Sequence, residues 1–200
     1  MLRRVRETES IKDRYSVMYN QCGVLQVSYF ASTLKAVFTD CLMFAIRGEQ
    51  SNTRLLKESI EISLGELADL DFDLAEHVGE IVASKNDISF QDMQSIGRAF
   101  STYFGVPVEI DGNVANVIFA QACRNCIVHS GAIADERMIR QIKAAKERTV
   151  DMPVHEGKAF CFEPQSIRKI SRSMEAFVAA LAGRLIQTCQ KSGSKKLTGG

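Results

Sequence analysis

"GVLQVSYFASTLKAVFTDCLMFAIRG", residues 23–48, decides the fold class. Val24, Val27, Phe30, Ala31, Leu34, Val37, Phe38, Cys41, Leu42 and Ala45 recur at steps of three and four. That is the period of a helix whose apolar side is broad enough to lie in a core. Gly48 is a natural stop. The preceding residues, 5–21, are polar with scattered apolar positions and predict a separate first helix.

The same period continues outward. "SNTRLLKESIEISLGELADL" opens on Ser51 and Asn52, good caps, and predicts a helix. Asp71 or Asp73 caps another through "LAEHVGEIVASK". "ISFQDMQSIGRAFSTYFG" follows, with Ser89 before it and Gly105 after. "GNVANVIFAQACRNCIVHSG", residues 112–131, predicts a helix from about Asn113 to His129. "DERMIRQIKAAKER" runs from an acidic first turn to a basic end, as the helix dipole favours. Pro164 opens a last helix through "SIRKISRSMEAFVAALAGRLIQTC". The expectation is an all-α bundle of five to seven helices. A short β-hairpin or extended segment is expected near 106–110 ("VPVEI") and 154–162. One domain is expected over 1–190, with a disordered polar tail at 191–200.

Bulk composition agrees with a globular chain. It has 200 residues, 46% of them hydrophobic and 24% charged, with net charge +1, so any anionic partner must be met by a local charge cluster. No run of eighteen apolar residues occurs, and "MLRRVRETESIKDR" lacks the apolar core of a secretory signal. These features predict a cytoplasmic protein with no membrane partner. The six cysteines (22, 41, 123, 126, 161 and 189) are expected to be mainly buried free thiols.

Function is concentrated in "QACRNCIVHSGAIADERMI", residues 121–139. Cys123, Cys126 and His129 are spaced as C-x2-C-x2-H, and all three types can bind zinc. Structural zinc sites take a CxxC pair from a turn and need a second ligand pair, which this chain lacks. A redox CxxC wants a helix N-terminus, whereas this one lies inside a helix. A third reading keeps Arg124, Asn125 and His129. Asn125 and His129, four apart, share a face, and Ser130 and Gly131 let the chain leave the helix just after. A histidine that can give and take protons, beside a guanidinium that can grip a phosphate, is a minimal toolkit for metal-free RNA cleavage. An Arg and a His near a helix end can equally be surface residues or a cap.

"RNCIVHSGAIADERMI" resembles the signature of the HEPN superfamily: Arg, four to six residues, then His, commonly with Asn after the Arg. Here these are Arg124, Asn125 and His129. The long apolar early helix, and the further helix after "GAIADE", fit the same layout. The resemblance is closest to stand-alone prokaryotic HEPN proteins of toxin–antitoxin and phage-defence systems. It implies an endoribonuclease needing no metal or cofactor, with Arg124 and His129 as catalytic pair and Asn125 orienting the histidine or touching phosphate. It implies a homodimer with a composite site, an RNA substrate, and an antitoxin or defence-system protein as partner. Many members carry an acidic or polar residue on the early helix. Here Ser32, Thr33 and Lys35 occur there, with no mid-helix glutamate. Some relatives are non-catalytic binding modules, which is the alternative reading.

Ser130, Lys35, Arg168, Lys169 and Arg172 are candidate RNA contacts, with Arg140, Lys143, Lys146 and Arg148 as further basic residues. His77 beside Glu76 reads as structural or surface. His155, beside Glu156 and Lys158, reads as a solvated loop histidine.

Overall fold

The computed structural model describes residues 9–49, 59–145 and 147–197. Among these the chain is all-α, with seven α-helices: α1 (Glu9–Phe44), α2 (Leu64–Asp69), α3 (Leu74–Lys85), α4 (Met93–Phe104), α5 (Gly112–Ser130), α6 (Glu136–Ala144) and α7 (Pro164–Leu197). One π-helical turn, Ala45–Glu49, follows α1. The two helices expected at 5–21 and 23–48 are thus a single helix, α1. Gly23 does not break it. Its missing side chain instead makes room for the Phe162 ring, which a Cβ there would overlap. Of the helix expected from Ser51, the described residues show α2 alone. Residues 59–63 are irregular, and Ser51 and Asn52 lie outside the described residues.

Helix starts are set by side chains that take up free backbone N–H groups. Ser63 and Glu66 form a reciprocal capping box on α2. Asp92, Asp111 and Asp135 accept from Ser95, Val114 and Met138 and cap α4, α5 and α6. Asp73 accepts from Glu76 at 3.2 Å, just before α3. Gly105 and Gly131, with φ of +67° and +60°, end α4 and α5 in the left-handed conformation that glycine adopts without a steric penalty.

Contacts divide the chain into two compact units. One is Met1–Ala31 with Glu109–Val178, the other Ser32–Val108 with Ala179–Gly200. Sequence periodicity predicts one domain ending at 190. Both α1 and α7 contribute to each unit, and α7 continues to Leu197. In the second unit the core is aromatic. The Phe38 ring lies 5.4–5.9 Å from those of Phe90, Phe100, Tyr103 and Phe104, mostly edge-on. Leu34, Leu42 and Ile96 are fully buried there. The stretch Arg14–Arg47 is long and apolar enough by composition to cross a membrane, a test that core helices also pass.

No strand forms among the described residues, so the expected hairpin is absent. Residues 106–110 are irregular. Pro107 has no N–H to donate, and its carbonyl accepts from Arg184 at 2.7 Å. Residues 154–162 do turn, at His155–Lys158, but the two arms do not pair with each other. They brace the loop after α5 instead: Ile133 and Ala159 form a lone antiparallel bridge. Around it Ala134 N–H donates to Lys158, Gly157 N–H to Ala134, and Phe160 N–H to Ala132.

Two buried asparagines hold this irregular segment in the first unit. Asn116 is 1% exposed. Its Oδ1 accepts from the N–H of Thr149 and Val150, at 2.8 and 3.0 Å. Its Nδ2 donates to the hydroxyls of Thr149 and Ser173. Asn20 accepts from Phe162 N–H at 3.0 Å and donates to the Phe160 carbonyl. Side-chain amides thus do what a ladder would do, and the buried backbone is satisfied without a sheet.

Candidate functional site

Helix α5 carries the candidate residues. From Val114 to Cys123 it is almost entirely buried. It then leaves the core within its last two turns. Arg124 and Asn125 are half-buried, Cys126 is buried, and Val128 and His129 are exposed. Polar residues meet solvent here because the apolar face stops at Cys126, and Gly131 turns the chain away.

Arg124 Nη1 donates to Asn125 Oδ1 at 3.1 Å. Its Nε is enclosed and has no hydrogen-bond partner among the described residues. Asn125 and His129 line one small recess between the end of α5 and the start of α6, together with Ser130, Asp135, Arg137 and Gln141. Ala122, Cys126 and Met138 complete its wall. The volume is about 30 Å³, which suits one water or one ligand oxygen. Arg124 does not line it. Asn125 lies between the other two around the helix, about 100° from Arg124 and about 40° from His129.

Asp135 organises the rim. It accepts from Met138 N–H at 2.7 Å and from the Ser130 hydroxyl at 3.1 Å. Those bonds, with the nearby Arg137 charge, hold its carboxyl below the usual range, against a smaller desolvation cost. Asp135, Arg137 and Gln141 went unnoticed in the sequence. The only available signal was their i, i+2 and i+6 placement at the start of the helix after the motif.

The expected site residues divide clearly. Asn125, His129 and Ser130 share the recess, with Ser130 already donating to Asp135. Arg168, Lys169 and Arg172 are exposed on α7 in the same unit, and Lys169 donates to the Thr149 carbonyl. Lys35 belongs to the other unit, where it forms an ion pair with Glu80 at 2.6 Å. His77 Nδ1 lies 3.6 Å from the same carboxylate, and Lys35 is the main reason that carboxyl is held below its usual range. His155 is exposed and lines no part of the recess.

Cys123 and Cys126 are buried, with free thiols. Burial pushes Cys123 well above the ordinary thiol value, and Cys126 donates to the Ile133 carbonyl at 3.0 Å. Among the described residues no group of three His, Cys, Asp or Glu side chains is placed to hold a metal. The remaining cysteines depart from expectation. Cys22 is exposed, and Cys41, Cys161 and Cys189 are only half-buried. Cys22, Cys41 and Cys189 sit on the margin of their helices' apolar faces, where periodicity alone does not separate core from edge, and Cys161 lies in the irregular segment before α7. Compared with profiles of known protein families, with curated proteins and with solved structures, the chain matches none.

Proposed function

We propose that this chain is a metal-independent endoribonuclease of HEPN type. It cuts RNA by attack of a 2′-hydroxyl on the adjacent phosphate, as a cytoplasmic toxin or phage-defence effector. The observation that carries this reading is the Arg124–Asn125–His129 constellation where α5 leaves the core. His129 is exposed, Asn125 stands beside it, and Arg124 has no carboxylate partner among the described residues.

In this mechanism a neutral His129 imidazole takes the 2′-hydroxyl proton as the oxygen attacks phosphorus. A protonated imidazole delivers a proton to the departing 5′-oxygen. The Arg124 guanidinium balances charge gathering on the phosphate oxygens. One histidine cannot hold both protonation states at once, so a homodimer presenting two Arg124/His129 pairs to one phosphate supplies the base, the acid and the charge. An antitoxin or defence-system protein would hold such an enzyme in check.

The test is digestion of RNA in the presence of a chelator by wild type, Arg124→Ala and His129→Ala. Cleavage by wild type and a loss of at least about 10²-fold in both variants is expected. Equal cleavage by all three ends the proposal.

A second reading, a non-catalytic HEPN-like module that binds RNA or protein, draws support from Val128 and Ile133. They are 49% and 52% exposed beside the same helix end. Toxicity on expression that disappears with His129→Ala favours the nuclease. Unchanged partner capture by that variant, without toxicity in wild type, favours the module.

A further inference from the structure

A second cavity, of about 350 Å³, lies wholly within the unit Ser32–Val108 with Ala179–Gly200. Its walls come from the end of α1, the start of the π-helical turn, the end of α4, and α7. Phe44, Phe104, Leu185 and Ile186 make them apolar. Phe104 is fixed from behind, its ring 5.4 Å from Phe38 and 5.6 Å from Phe100. Phe44 and Ile186 are 42% and 56% exposed, so apolar surface stands open to solvent. The adjoining turn is π-helical, a costly conformation that recurs at functional sites.

Among the described residues Asp40 is the sole charged one on the wall. It has no ion-pair partner among the described residues. Lys35, on the same helix, pairs with Glu80, and Arg184 of α7 donates to the Pro107 carbonyl. An engineered apolar cavity of roughly 150 Å³ accepts benzene. This one is about twice as large and lies within the range of small-molecule sites. It therefore has room for a ring and a short chain beside the Asp40 carboxylate.

We propose that this cavity binds a small organic monocation of the size of an arylalkylamine. Its ring lies between Phe44, Phe104 and Ile186, and its ammonium meets Asp40. The site is separate from the RNA-cleavage reading and stands or falls without it. Attraction of the ammonium to the face of Phe44 or Phe104 adds to the ion pair.

Cys41 and Cys189 both line the cavity and are free and half-buried; burial pushes the Cys41 thiol up to about 11, so its alkylation is slow and Cys189 is the main reporter of occupancy. The experiment is alkylation by iodoacetamide, followed by mass spectrometry. It compares 2-phenylethylamine with its neutral isostere 2-phenylethanol and the anion 3-phenylpropionate. Saturable protection of Cys41 and Cys189 is expected, strongest for the amine, with exposed Cys22 labelled equally throughout. Asp40→Asn weakens the amine about fivefold. Ile186→Lys, a change at an exposed position, weakens it at least tenfold by placing a like charge at the mouth. Equal protection by all three probes, or none at up to about 10 mM, overturns the proposal. So does a Cys189 that resists alkylation without any probe, because the chain then fills its own cavity. Labelling that falls as protein concentration rises assigns the cavity to a second copy and overturns it too.

Discussion

Arg124 Nη1 donates to Asn125 Oδ1 at 3.1 Å, and Asn125 in turn lines the recess that His129 shares. The guanidinium is therefore aimed by its neighbour, while its Nε stays enclosed without a partner. On the proposed ribonuclease reading, Asn125→Ala should loosen Arg124 without removing either member of the proposed Arg124/His129 pair. RNA cleavage should fall by about tenfold, against at least about 10²-fold for Arg124→Ala. Arg124→Lys keeps the charge but loses the planar fork, so it should fall between the two. Rates measured with an excess of chelator check this order, and an Asn125→Ala rate equal to wild type would remove the positioning role.

Asn116 satisfies two backbone N–H groups and two hydroxyls from a position 1% exposed. Replacing it by Leu leaves the buried Val150 N–H without an acceptor, at about 1–3 kcal/mol, and the part-buried Thr149 N–H at less. Urea denaturation should show Asn116→Leu destabilised by roughly 2–5 kcal/mol. A loss below about 1 kcal/mol would mean that the segment 149–163 is held by something else.

Gly23 sets a helix preference against a packing clash. Alanine is better than glycine by about 1 kcal/mol in a helix interior. Its Cβ would overlap the ring of Phe162, a side chain 1% exposed with nowhere to go. Overpacking of this kind costs about 1–3 kcal/mol, so the clash should win and Gly23→Ala should lower the melting temperature. Phe162→Leu in the same chain should recover part of that loss. Stabilisation by Gly23→Ala alone would show that the ring moves freely.

Glu66 predicts a pH dependence with a definite sign. The Lys85 ammonium at 2.8 Å, and then the two bonds with Ser63, pull its carboxyl from the ordinary 4.5 to about 2. The folded value lies below the unfolded one, so this stabilisation is fully present above 4.5. It is lost as pH falls toward 2. Glu66→Gln should melt earlier than wild type at neutral pH, and the two curves should converge as pH falls from 4.5 to 2. Parallel curves across that window would show that the exposed pair contributes nothing.

Helix after helix was legible because caps and periodicity are local. Asp92, Asp111 and Asp135 cap α4, α5 and α6 through their own neighbours, and Gly105 and Gly131 stop helices for reasons of backbone geometry. The exits of α4 and α5 could therefore be placed without knowing the fold. The continuity of α1 through Gly23 could not, since its cause is Phe162, far along the chain. The hairpin expected at 154–162 failed for the same reason. Its alternation and turn are real, but its hydrogen bonds go to residues 132–134 and to Asn20.

By itself the sequence determined an all-α chain and put Arg124, Asn125 and His129 on one helix end, because helical spacing and termination depend on residues only a few positions apart. Only the tertiary structure decided what stands beside them. It brought Asp135, Arg137 and Gln141 to the recess and committed Lys35 to Glu80. It also left Asp40 on the wall of an apolar cavity with no ion-pair partner among the described residues. Burial and pairing belong to contacts between distant segments, and a buried asparagine such as Asn116 has the same letter as one in an exposed turn.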